Sequence, residues 1–196
     1  MGQGQSKKAL AGTLVAVLLL GGPAWAQNPF SILGRAVTTS MDVRTKAEVS
    51  ADTEIAAAAS RRLLEDKKSE WKGVTLLVFA RHVVIAGAVT TAAVNNRVEE
   101  LVKQDKRIRS LKNELSVGDA GSFARDTALE AEINASLTAA KGVSSVNMRW
   151  CATGGRVVLM GVAQSQQEAN LAAAKARSIK GVTSLVSHLR VIGTKK

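Results

Sequence analysis

Val83-Val84-Ile85-Ala86-Gly87-Ala88-Val89 returns 74 residues later as Val157-Val158-Leu159-Met160-Gly161-Val162-Ala163. The same shift, without a gap, carries Asp52, Ile55, Leu63, Val74 and Leu76 onto Asp126, Leu129, Leu137, Met148 and Trp150. It also carries Ile108, Leu111, Leu115 and Val117 onto Val182, Leu185, Leu189 and Val191. Self-similarity at one fixed period marks a duplicated folding unit. A unit of about seventy residues is near the lower limit for a self-sufficient core, so the chain reads as two small domains.

Each copy opens with an aspartate in N-cap position, Asp52 or Asp126. Apolar residues follow it at helical spacing: Ile55, Ala59 and Leu63, or Leu129, Ile133 and Leu137. Two alternating runs come next, Val74 to Phe79 and Val83 to Val89, or Val146 to Ala152 and Val157 to Ala163. Thr153-Gly154-Gly155 suits a hairpin turn, whereas Phe79-Ala80-Arg81-His82 suits one poorly. A second helix is predicted from about Thr91 to Gln104 and from about Ser165 to Ile179, before a final strand ending at Val117 or Val191. The order is helix-strand-strand-helix-strand. The crossover helix implies an α+β unit with two helices on one face of a three-stranded sheet, its strand order left open.

At the N-terminus, Lys7-Lys8, the apolar run Ala9 to Leu20, Gly21-Gly22-Pro23 and Ala24-Trp25-Ala26 form the pattern of a secretory signal peptide. The expected divisions are signal peptide 1–26, tether 27–50 with a helix starting near Asp42, first domain 51–118, linker 119–125 and second domain 126–193. The apolar run is too short to span a bilayer. Gln27 at the cleavage point offers no thiol for lipoprotein acylation, so a periplasmic, non-lipidated protein without an integral span is expected. The net charge of +11 falls to +9 without Lys7 and Lys8, an excess that favours anionic partners.

Asp126-x-x-Leu129-x-x-x-Ile133-x-x-x-Leu137, Gly155-Arg-Val-Val-Leu-Met-Gly-Val162 and Lys180-Gly-Val-Thr-Ser-Leu-Val-Ser-His-Leu-Arg-Val191 together resemble a BON domain. Asp52 to Val117 resembles it more loosely. The layout is similar to the osmotically inducible periplasmic proteins and the dual-BON outer-membrane lipoproteins. The resemblance implies two tandem BON domains, envelope maintenance under stress and binding of phospholipid surfaces. Two local departures stand out. Arg107 occupies the place of Gly181 in the turn before the last strand, and the helix onset Asp126-Thr127-Ala128-Leu129 offers no aromatic residue to a lipid headgroup layer.

No catalytic, cofactor or metal residues are assigned. His82 and His188 are not repeat equivalents, and neither has a cysteine or second histidine at ligand spacing. Strand alternation puts Leu77, Phe79, Val84 and Ala86 on the sheet face away from the helices in the first domain, and Cys151, Val158 and Met160 in the second. So much apolar surface is expected to be covered, by the two faces packing together within the chain or by a partner protein or homodimer. Cys151, the lone cysteine, is then a shielded thiol or a dimer crosslink. Lys103, Lys106, Arg107 and Arg109, with Arg177 and Lys180, cluster at the end of the second helix. They either complement the helix dipole or contact anionic lipid. The expected function is non-enzymatic support of the envelope through weak binding to anionic phospholipid, with a chaperone-like module acting on envelope proteins as the alternative. No nucleic-acid partner is expected.

Overall fold

The computed structural model describes residues 42–67, 71–119 and 121–193. The signal-peptide reading of 1–26 and most of the proposed tether lie outside these residues. The elements are α1 (Lys46–Glu65), β1 (Val74–Phe79), β2 (His82–Val89), α2 (Ala92–Lys103) and β3 (Ser110–Val117). They are followed by α3 (Phe123–Ala139), β4 (Met148–Thr153), β5 (Arg156–Ala163), α4 (Gln166–Arg177) and β6 (Ser184–Val191). Both sheets have three strands, in order β1-β2-β3 and β4-β5-β6. In each the first pair is antiparallel and the second parallel, as a hairpin followed by a helical crossover requires.

Helix periodicity and strand alternation meet on one face of each sheet. Ile55, Ala59 and Leu63 of α1 and Val98, Leu101 and Val102 of α2 pack on Leu76, Val78, Val83 and Ile85. Leu129, Ile133 and Leu137 of α3 and Ala169, Ala172 and Ala176 of α4 pack on Met148, Trp150, Val157 and Leu159. A short 3-10 turn, Trp71–Gly73 or Ser145–Asn147, leads into each first strand and crosses close over the second. A Cβ on Gly87 would lie 1.9 Å from the Gly73 carbonyl oxygen, and one on Gly161 would lie 2.1 Å from that of Asn147. That crossing explains why glycine recurs at the centre of both copies of the quoted stretch.

The opposite sheet faces pack on each other. Leu77, Phe79, Val84, Ala86, Cys151, Val158, Met160 and Val162 form a third buried cluster between them. The described chain is thus layered helices, sheet, sheet, helices, with the two units back to back.

The aspartates read as N-caps are not caps. Thr45 caps α1 in a capping box with Glu48, and α3 begins after Ser122. Asp52 and Asp126 lie inside their helices because their carboxylates are used on the adjoining hairpin turns. The helical part of the first unit starts at Lys46, close to the helix start expected near Asp42 within the tether, and α3 starts within the stretch read as a linker.

Candidate functional site

The turn between β1 and β2 places Ala80 and Arg81 at φ of 51° and 65°, the left-handed region that glycine fills at the same points of the second unit, Gly154 and Gly155. The Asp52 carboxylate holds this turn, accepting from the N–H groups of Ala80 at 2.8 Å and Arg81 at 2.6 Å. Arg44 pairs with Asp52 at 3.0 Å and with Asp42 at 2.6 Å, and its guanidinium lies 4.4 Å from the centre of the Phe79 ring. The Val43 N–H donates to Asn147 Oδ1 at 3.0 Å, so residues 42–45 tie the first helix to the second unit. Asp42 is held below the usual carboxylate range by Arg44, against the opposing effect of its burial.

At the seam between the sheets, Glu114 of β3 receives the Arg156 guanidinium and His188 Nε2, the latter at 2.8 Å. Glu114 and His188 are equivalent positions of the repeat, 74 residues apart. Two equivalent residues thus touch across the seam. Burial opposes ionisation of Glu114, but its bonds to His188 and Arg156 prevail and lower its pKa.

The basic cluster predicted from sequence is divided. Arg107 donates to both Asp105 oxygens, at 2.9 and 2.7 Å, and to Glu54 at 2.7 Å. Arg109 pairs with Glu48 at 3.6 Å. Lys103 and Lys106 on one side, and Arg177 and Lys180 on the other, are exposed and make no ion pair among the described residues. These two pairs end α2 and α4, which belong to opposite outer layers.

The early start of α3 corrects the reading that its onset lacks an aromatic residue. Phe123 occupies its first turn and is 52% exposed, beside exposed Arg125. The sequence carried that signal in Ser122-Phe123, but the aspartate three residues later drew the N-cap assignment.

Cys151 is buried between the sheets, and burial, with the Glu130 charge adding to it, pushes its thiol up to about 11. Among the described residues no group of three or more His, Cys, Asp or Glu is placed to hold a metal ion. No described helix is long and apolar enough to cross a membrane.

Residues 125–193 match the BON domain family. Osmotically-inducible protein Y of Escherichia coli (strain K12) is 28% identical over 195 residues, covering 91% of this chain and 94% of that protein. An uncharacterized protein from the gshII 5′ region of Anaplasma centrale is 30% identical over 125 residues, 62% of this chain and 83% of its own length. Among solved structures, CdsD, a structural protein of the type III secretion system of Chlamydia trachomatis, aligns with a TM-score of 0.32 and 14% identity over 72% of this chain. The chain spans 65% of that protein's length. The chain thus carries a BON domain, residues 125–193, which is its second unit.

Proposed function

We propose that this is a periplasmic envelope protein of the osmotic-stress kind, built from two BON units, that makes weak peripheral contact with anionic phospholipid. The BON domain and the likeness to osmotically-inducible protein Y support the envelope and stress role. The first unit repeats the strand order, the pairing and the glycine crossing of the second, which supports reading it as a further BON domain.

Phe123 carries the lipid reading. An exposed aromatic ring on the first turn of a helix, next to Arg125 and to the N–H groups that the helix leaves free there, combines an apolar anchor with donors for a phosphate headgroup. Lys103 and Lys106, or Arg177 and Lys180, add a diffuse attraction of about 1 kcal/mol each near an anionic surface. A flat bilayer laid on either helix layer meets one of these pairs, so the contact is weak and reversible.

Vesicle flotation of the chain from Gln27 onward tests this. Binding to phosphatidylglycerol vesicles is expected to weaken as salt shortens the Debye length from about 30 Å at 0.01 M to about 8 Å at 0.15 M, and to be nearly absent on neutral vesicles. Phe123→Ala should reduce binding severalfold at unchanged thermal stability. Equal binding to neutral vesicles, or full binding by Phe123→Ala, would overturn the lipid reading in favour of a module acting on envelope proteins.

A further inference from the structure

We propose that the open edge of the second sheet, strand β6, is a docking site for an extended segment of a partner protein in which apolar and acidic residues alternate. The inference does not rest on the membrane reading above. Strands β3 and β6 are edge strands, each paired on one side only. The Gly118 N–H donates to the Val89 carbonyl at 2.9 Å, and the Ile192 N–H to the Ala163 carbonyl at 3.0 Å. Alternate residues of a parallel strand bond inward, so the even-numbered residues of β3 and β6 bond the inner strand and the odd-numbered ones turn their N–H and C=O to the open edge. On β3 that edge is capped. Asn95 Nδ2 donates to the Leu115 carbonyl at 3.2 Å, and the Leu115 N–H donates to Asn113 Oδ1 at 3.1 Å. Asn113 Nδ2 in turn donates to Asn95 Oδ1 at 2.6 Å and to Glu99 at 2.8 Å, which fixes the cap in place. Exposed Lys112 adds a charge of the kind that deters strand pairing.

The β6 edge lacks each of these devices. Ala169, Ser187 and Val186 occupy the places of Asn95, Asn113 and Lys112. Among the described residues no side chain caps the outward N–H and C=O groups of Leu185, Ser187 or Leu189. Such a row of unpaired groups is a template for one more strand. The chemistry of that strand follows from what flanks the edge. Leu185 and Leu189 lie on the helix side, only partly buried against the second core, so apolar side chains on an added strand would complete their cover. Val186, His188 and Arg190 alternate onto the other face. Residues 169–196 carry Lys175, Arg177, Lys180, Arg190, Lys195 and Lys196 with no aspartate or glutamate, a field that favours acidic side chains there. The same single sign of charge disfavours a second copy of this chain, since pairing β6 with β6 sets one basic element against another.

The probe is a fluorescent peptide of about eight residues alternating valine and glutamate, titrated into the chain from Gln27 and followed by anisotropy. Binding is expected, weaker in higher salt and weaker again when lysine replaces the glutamates. Paired antiparallel with its valines on the helix side, the peptide turns its valine N–H groups to β6 and its glutamate N–H groups to solvent. Methylating the valine nitrogens should therefore abolish binding, and methylating the glutamate nitrogens should leave it largely intact, with the protein untouched in both arms. Ser187→Pro deletes one outward N–H while keeping the bonds to β5, and should weaken binding by roughly tenfold at an unchanged urea midpoint. Amide exchange locates the contact: the Leu185, Ser187 and Leu189 amides should exchange fast in the free chain and slow with peptide bound, while Leu111 and Leu115 do not respond. Absence of binding by the valine-glutamate peptide, equal binding by its two methylated forms, or slowed exchange on β3 instead of β6 overturns the proposal. Concentration-dependent dimerisation of the free chain with the β6 amides already protected also overturns it, by making a second copy the occupant.

Discussion

Asp52 is 3% exposed, and its two oxygens receive the Ala80 and Arg81 N–H groups and the Arg44 guanidinium. A side-chain-bearing residue in the left-handed region costs about 1–2 kcal/mol, and this turn holds two in succession. Hydrogen bonds to a charged acceptor are each worth about 1.5–3 kcal/mol, enough to hold the turn in place. Asp52→Ala is therefore expected to destabilise the chain by about 2–4 kcal/mol, measured as a urea midpoint. Asp126→Ala removes a single 3.1 Å bond to Gly154 on a turn that glycine makes without strain, and should cost less than about 1 kcal/mol. The repeated aspartate was visible in the sequence, but its role was not. An aspartate ahead of an apolar helical stripe looks like an N-cap, and the turn it serves lies 28 residues away.

The connection from α2 into β3 shows how one element is built from different chemistry in the two copies. Gly181, at φ +101°, makes the turn in the second unit, closed by the Val182 N–H on the Ile179 carbonyl at 3.1 Å. In the first unit Arg107 stands in its place, and the Ile108 N–H closes on Asp105 at 3.2 Å while the Asp105 carboxylate accepts the Arg107 N–H at 3.1 Å. Hydrogen bonding from Arg107 holds the Asp105 carboxyl at about 2, against the burial that would raise it. Because the folded value lies below the ordinary 3.8, this stabilisation is complete above about pH 4 and is lost as pH falls towards 2. It amounts to about 2 kcal/mol. Arg107→Ala should flatten the decline in urea stability between pH 4 and pH 2 relative to the parent chain. Undiminished acid sensitivity in the variant would count against the pairing. Helix and strand positions were legible because they rest on period alone. The fate of the basic cluster was not, since Glu54, which takes up Arg107, and Glu48, which takes up Arg109, lie 53 and 61 positions back along the chain.

At the scale of the whole molecule, the duplication yields two units whose helix-free faces cover each other, with Glu114 and His188 meeting at the seam. Alternation along the strands named the apolar residues of those faces. It left open what covers them, because a partner protein, a second copy and the other half of the chain present the same apolar requirement to a sequence. The polar rim was not foreseen at all. Arg156 and His188 on Glu114 depend on how the two sheets are set against each other, which no local pattern encodes. The outward placement of both helix layers requires the sheets to stay face to face. Cys151 reports on this directly, being buried in the seam with its thiol pushed up to about 11, so almost none is thiolate near neutral pH. The decisive measurement is the rate at which a thiol reagent labels Cys151 at pH 7.5 across a urea series. The account predicts negligible labelling of the native chain, with the rate rising only along the global unfolding curve. Labelling of the native chain at the speed of an exposed cysteine would contradict the back-to-back packing.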